Sequence, residues 1–282
     1  MTGEVLVLHV DADAFYASVE QRQKPSTAAV PVIVCGLGPR GVVATASYQA
    51  RRFGVGSAMA MATATAVRQC PQGVFLAPRM SAYREHSAAI MAVLTRFANV
   101  LEQVSIDEAY LQVSPVNIAA EPLAAEVTAA VWRATGLRVS VGAGRSKLVA
   151  KLASPAAKPR GVRVVTGGQE QLFLDGLAVT TLPGVGPVAA ARLRELGIDT
   201  VAQLRAQPDR LLQRLLGSAG AGRRQPPSWT SPMRSCKWTT RAASCSPWAA
   251  RARPGNRSTR PVRHVPHRRG GSPCTDTAAQ RN

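Results

Sequence analysis

Residues 5–23 read VLVLHVDADAFYASVEQRQ, and the way this stretch folds governs everything after it. Its first six residues are apolar but for His9 and rich in Val, the composition of a short buried strand. Asp11 ends that strand, and residues 12–23 can continue as a helix. Further along, the runs 101–105 and 108–113 alternate apolar and polar residues with almost nothing between them, which predicts a hairpin turning at Ile106–Asp107. Residues 119–135 are Ala-rich, with Leu123, Val127 and Val131 at helical spacing. Residues 137–143 and 161–165 return to strand character. The order β-α-β-β-α-β is that of a ferredoxin-like split βαβ sheet, so the fold class is α+β. A small, Ala- and Gly-rich segment at 25–76 is inserted into it, and 167–219 forms a separate, mostly helical unit.

With 282 residues, 46% of them hydrophobic, the chain can bury a sizeable core. No run of apolar residues is long enough to span a bilayer, and no basic segment leads into an apolar stretch at the N-terminus. The expected location is therefore the cytoplasm, with no membrane partner. The five cysteines form no CxxC pair and have no partner histidines, which argues against a zinc site or a disulfide framework.

The net charge of +19 points to a polyanionic partner, but it is unevenly spread. Residues 1–219 hold 22 Lys and Arg against 15 Asp and Glu, a net of +7. Residues 220–282 hold 13 against 1, a net of +12. This last stretch contains no Leu, Ile, Phe or Tyr, yet it carries three of the four Trp and eight of the 20 Pro. Such a composition cannot bury enough apolar area to offset the entropy of ordering, and we read 220–282 as a disordered basic tail. Its Arg/Pro/Ala/Ser/Trp mixture is what out-of-frame translation of a GC-rich gene would give.

Three constellations carry chemistry. Asp11 at a strand end and the pair Asp107 and Glu108 at a hairpin turn can converge on one edge of the sheet. Hard oxygen ligands of that kind suit Mg2+. Tyr48 and Arg51, three residues apart, share a helical face, and Lys158 stands just before the last strand. A guanidinium, a phenol and an ammonium together suit triphosphate oxygens. Finally, LPGVGPVAAARLRELGI at 182–198 has the glycine turn and helical pattern of a helix-hairpin-helix. There the backbone N–H groups of Gly184, Val185 and Gly186 can face a DNA phosphate. Taken singly, each pattern reads equally as a solvated turn, a basic helix face or an ordinary αα-hairpin.

Taken together, they closely resemble the Y-family (translesion) DNA polymerases of the DNA polymerase IV type. The matching stretches are DADAFYASVE at 11–20, ATASYQARRFGV at 44–55 and SIDEAYL at 105–111, followed by VSVGAGRSKLVAKLAS at 139–154, AKPRG at 157–161 and the hairpin above. The resemblance implies a palm at 1–24 and 77–166, fingers at 25–76 and a thumb at 167–219. It implies that Asp11, Asp107 and Glu108, with the backbone carbonyl of Ala12, hold two Mg2+ ions, for which Mn2+ can substitute. Asp13 has no metal role in this reading. The resemblance also implies that Tyr48, Arg51 and Lys158 contact the triphosphate, and that Tyr16 is the aromatic gate whose ring excludes a ribose 2′-hydroxyl. The expected partners are primer-template DNA and deoxynucleoside triphosphates, and the expected state is a monomer. The expected reaction is error-prone synthesis across damaged DNA, and no acidic cluster for a proofreading exonuclease is read. The family carries a little-finger domain after the thumb, and most bacterial members then carry a clamp-binding peptide. Residues 220–282 match neither, so a chain lacking the little finger and a sliding-clamp contact is expected. A second function class, a non-catalytic product that binds nucleic acid through thumb and tail, fits the same charge distribution. The presence of every catalytic side chain favours the polymerase.

Overall fold

A computed structural model describes residues 5–56, 61–114, 119–165, 167–208 and 211. The tail expected at 220–282 lies outside the described residues.

Strand β1 (Leu6–Ala12) is the centre of a five-stranded sheet. It pairs antiparallel with β6 (Glu108–Val113) on one side and β7 (Val139–Gly144) on the other. Strand β5 (Val100–Gln103) extends the β6 edge antiparallel, and β8 (Val162–Val164) extends the β7 edge in parallel. The order β5-β6-β1-β7-β8 contains the split βαβ arrangement expected from the sequence, with one strand added. Flanked on both edges and covered on both faces, β1 reads as a nearly continuous apolar run for a physical reason. Leu6, Leu8, Val10 and Ala12 face one side, in a core with helices α4 (Met80–Leu94) and α5 (Ala120–Thr135). Val7 faces the other side, against Ala150 of helix α6 (Lys147–Ala156). By strand alternation His9 and Asp11 share that second side.

Helix α1 (Phe15–Gln23) starts three residues later than the sequence predicts. The ladder wins over the helix here: Asp11 still pairs with Glu108 and Ala12 with Val139. The chain then turns at Ala14, held in the left-handed region at φ 46. The predicted hairpin is present, its first strand shortened to Val100–Gln103 and its turn widened to residues 104–107.

The insertion forms its own three-stranded sheet, in the order β3-β2-β4, from β2 (Val32–Cys35), β3 (Val43–Ala46) and β4 (Val74–Leu76). Helices α2 (Tyr48–Arg51) and α3 (Thr63–Gln69) belong to it. Its core combines Ala46, Ala50, Ala66, Cys35 and Cys70 with Ile33, Val43 and Val55.

The glycines of β7 set the position of α6. A Cβ on Gly142 would stand 2.1 Å from the Ala150 carbonyl oxygen and 2.4 Å from the Ser154 nitrogen, so the helix backbone lies directly on the strand. The other side of α6 joins a second core: Leu148 and Leu152 pack with Val179, Leu182, Leu193, Ile198 and Leu204 of the helical unit. That unit contains α7 (Glu170–Asp175), α8 (Pro187–Glu195) and α9 (Val201–Arg205). Among the described residues no helix is long and apolar enough to cross a membrane.

Candidate active site

At the end of β1, Asp11 stands opposite Glu108, the first residue of β6, in the ladder register. Directly opposed residues on neighbouring strands project to the same face, so both side chains lie on the α6 side of the sheet. Asp107 completes the group from the turn, where its backbone carbonyl accepts from the Ala12 N–H at 3.0 Å. Ser105 shapes that turn. Its hydroxyl accepts from the N–H groups of Asp107 and Glu108 at 3.2 and 3.0 Å, and donates to Asp107 Oδ1 at 2.6 Å. Within S-I-D-E one hydroxyl therefore fixes the turn backbone at Asp107 and Glu108 and holds the Asp107 carboxylate.

Two lysines balance this acidic end. Lys158 Nζ donates to Asp11 Oδ1 at 2.6 Å, and Lys151 Nζ donates to Glu108 Oε2 at 2.7 Å. Burial raises the Asp11 carboxyl above the ordinary range; Lys158 opposes this, and the charges of Asp107 and Glu108 add to it. Glu108 is held low, at about 2, by His9 and then by Lys151, against its own burial. His9 is 1% exposed, and its Nε2 lies 3.5 Å from Glu108 Oε2. As placed, no three His, Cys, Asp or Glu side chains among the described residues gather at metal-holding distances. The donor set nevertheless fits a hard divalent cation, because three carboxylates placed near one sheet end offer oxygen ligands only.

The residues expected to bind phosphate meet this site through Asp13. Tyr48 donates its phenol to Asp13 Oδ1 at 3.1 Å, and its own ionisation is pushed upward by burial and by that carboxylate. The Arg51 guanidinium lies 4.6 Å over the Tyr48 ring and donates to the Ala46 carbonyl at 3.0 Å, so the pair shares a face as the spacing predicts. Asp13 also accepts from Ser140 Oγ at 2.9 Å and from the Arg160 N–H at 2.8 Å. Being 3% exposed, it is a buried junction between β7, α2 and the segment that carries Lys158.

Tyr16, on the first turn of α1, stacks on Tyr83 of α4 with ring centres 4.3 Å apart and planes 12° apart. Burial raises its phenol pKa, and the charge of Asp107 raises it further, so the ring neighbours the acidic end.

The structure therefore brings together Asp11, Ala12, Asp107, Glu108 and Lys158, and links Tyr48 and Arg51 to them through Asp13. Gly184, Val185 and Gly186 belong instead to the helical unit, at the turn before α8. Gly184 has φ 87 there, Pro187 opens the helix, and the turn is preceded by a 3₁₀ segment, Val179–Thr181. Sequence reasoning missed Lys151, His9 and Ser105, none of which left a signal; Asp13, given no metal role there, serves as the junction just described.

The impB/mucB/samB family matches residues 10–155, just over half the chain. The chain belongs to that family, the Y-family polymerases that its motifs resemble. Among its relatives, DNA polymerase IV of Streptomyces coelicolor is 44% identical over 218 residues, covering 76% of this chain and 45% of that protein. DNA polymerase IV 3 of Mesorhizobium japonicum is 43% identical over 217 residues, covering 76% of this chain and 60% of that protein. The chain thus spans about half the length of the curated relatives it matches. Among solved structures, DinB from Sulfolobus solfataricus superposes with a TM-score of 0.71 at 32% identity, over 77% of this chain and 64% of that one. The insertion ternary complex of Dbh DNA polymerase gives 0.74 at 31% identity, over 80% and 69%.

Proposed function

We propose that the chain carries the catalytic part of a translesion DNA polymerase, which extends a primer 3′-hydroxyl with deoxynucleotides across damaged template. The observation that carries this reading is the acidic sheet end: Asp11 faces Glu108 across the β1–β6 ladder, with Asp107 tied to the Ala12 backbone beside them. Its partners would be primer-template DNA and deoxynucleoside triphosphates, in keeping with the insertion ternary complex that Dbh DNA polymerase forms. The five-stranded sheet and its helices would be the palm (1–24 and 77–166), the insertion the fingers (25–76) and the helical unit the thumb (167–219).

In this reading Asp11, Asp107, Glu108 and the Ala12 carbonyl hold Mg2+. Two such ions, when bound, supply the positive charge that acidifies the primer hydroxyl and offsets the charge of the departing pyrophosphate. The chain itself positions and excludes. Glu108, held anionic by His9 and Lys151, remains a ligand at neutral pH. Lys158 and Arg51 provide cationic groups for the triphosphate, and the Tyr48 phenol, protonated at neutral pH, would donate there by exchanging its bond to Asp13. Tyr16, braced against Tyr83, closes the space beside the sugar.

Primer extension tests the proposal. Asp107→Asn should lower incorporation about a hundredfold or more while DNA binding persists. A variant retaining a tenth of parental activity would refute the metal assignment.

A further inference from the structure

Glu20 is 1% exposed, a costly position for a carboxylate unless every lone pair finds a partner. Arg79 grips it with two bonds, Nε to Oε1 at 2.9 Å and Nη2 to Oε2 at 2.6 Å. The third partner is the phenol of Tyr83, which donates to Oε1 at 2.8 Å. Tyr83 is fully buried, and the same ring whose hydroxyl is held by Glu20 forms the surface on which Tyr16 stacks. Tyr16 and Glu20 are four residues apart on α1, so they lie on one face of the helix, and Tyr83 reaches from one to the other.

We infer that Glu20, clamped by Arg79, is a positioning residue for sugar selection, acting through Tyr83 on Tyr16. This rests on the reading of Tyr16 as the sugar gate. The carboxylate fixes the phenol end of Tyr83, so the ring cannot slide along its long axis. A ring that cannot slide gives Tyr16 one resting depth. Exclusion by van der Waals contact depends steeply on distance, and a displacement of about 1 Å caused by a remote substitution can cost two orders of magnitude. An apolar pair would fill the same volume without directing the phenol, whereas a charge-assisted bond has a direction.

Single-nucleotide incorporation by the full chain, with deoxy- and ribonucleoside triphosphates in parallel, tests this. The ratio of the two rates is insensitive to the fraction of folded enzyme. Tyr83→Phe removes only the hydroxyl and should lower the deoxy-to-ribo preference about three- to tenfold. Glu20→Ala should lower it at least as far, and Glu20→Gln, which keeps an oxygen to accept from the phenol, should bring it back to within about twofold of the parent. Tyr16→Ala is the control for the underlying reading and should relax the preference about tenfold or more. The fluorine resonance of a fluorotyrosine at position 16 should also move in Tyr83→Phe, a readout independent of activity. A parental ratio and an unmoved resonance in Tyr83→Phe, with Tyr16→Ala relaxed, overturn the inference and leave the gate standing. A parental ratio in Tyr16→Ala overturns the gate itself. Should Glu20→Ala fail to fold, Tyr83→Phe alone decides.

Discussion

Asp13 differs from Asp11 in what surrounds it, not in its chemistry. Asp11 points into a cluster of like charges and is answered by one ammonium. Asp13 is buried beneath three donors, from Ser140, Tyr48 and the Arg160 backbone. Composition and spacing in D-A-D do not rank the two acids; the family resemblance alone put Asp11 in the metal site and left Asp13 out. The partners that separate them come from β7, α2 and the approach to β8, far away along the chain. The carboxylates Asp107 and Glu108 were legible because the turn that aims them is local. Lys151 was not, because a lysine on a helix reads as solvated until its facing strand is known. Hydrogen bonds to a charged group contribute about 1.5–3 kcal/mol, so Asp13→Asn should raise KM for the incoming nucleotide about tenfold or more. Steady-state titration of the nucleotide at saturating DNA measures it. The same substitution made on a Tyr48→Phe background should still add a further loss, because Asp13 also accepts from Ser140 and from the Arg160 N–H.

The elements obey their local patterns except where the ladder competes. Residues 12–14 have helical composition, yet β1 keeps them as strand and turn because β6 pairs with it through Asp11 and β7 through Ala12. Periodicity along one segment cannot report a partner, so the boundary was misread and the element was not. Helix α5 shows the opposite case: its apolar stripe is self-contained, and Val127 and Val131 are buried as their spacing predicts. The seating of α6 was illegible, since glycine in a strand pattern signals only that something comes close. Gly142→Ala should destabilise the fold by about 3 kcal/mol or more, because the added methyl meets helix backbone that cannot rotate away. Gly38→Ala, where nothing lies within 4 Å of the new atom, should stay within about 0.5 kcal/mol of the parent. Urea unfolding of the two variants side by side makes the comparison.

Across the whole chain, charge and chemistry are separated. The acidic end and its lysines lie within residues 9–158, whereas a net of +12 is concentrated in residues 220–282. Deleting 220–282 should weaken DNA binding at about 50 mM salt, and the deficit should shrink steeply towards about 200 mM, since every phosphate the tail neutralises adds a counterion-release contribution that fades with salt. Anisotropy titrations of labelled DNA across that salt range follow it, and single-turnover rates on bound primer should stay near those of the full chain. Between the sheet and the helical unit runs α6, and its packing gives it a mechanical character. One flank rests on bare strand backbone at Gly142, with no side chain to cushion it. The other flank is bolted into the helical unit by Leu148 and Leu152. Between them Lys151 reaches Glu108. This is the layout of a lever with a hard fulcrum: the load arm is in the helical unit and the working tip is at the carboxylates. Under the proposed function, a load on the helical unit would reach the sheet partly through α6, the helix whose Lys151 bonds Glu108, so grip on the DNA and the state of the acidic end would be mechanically coupled.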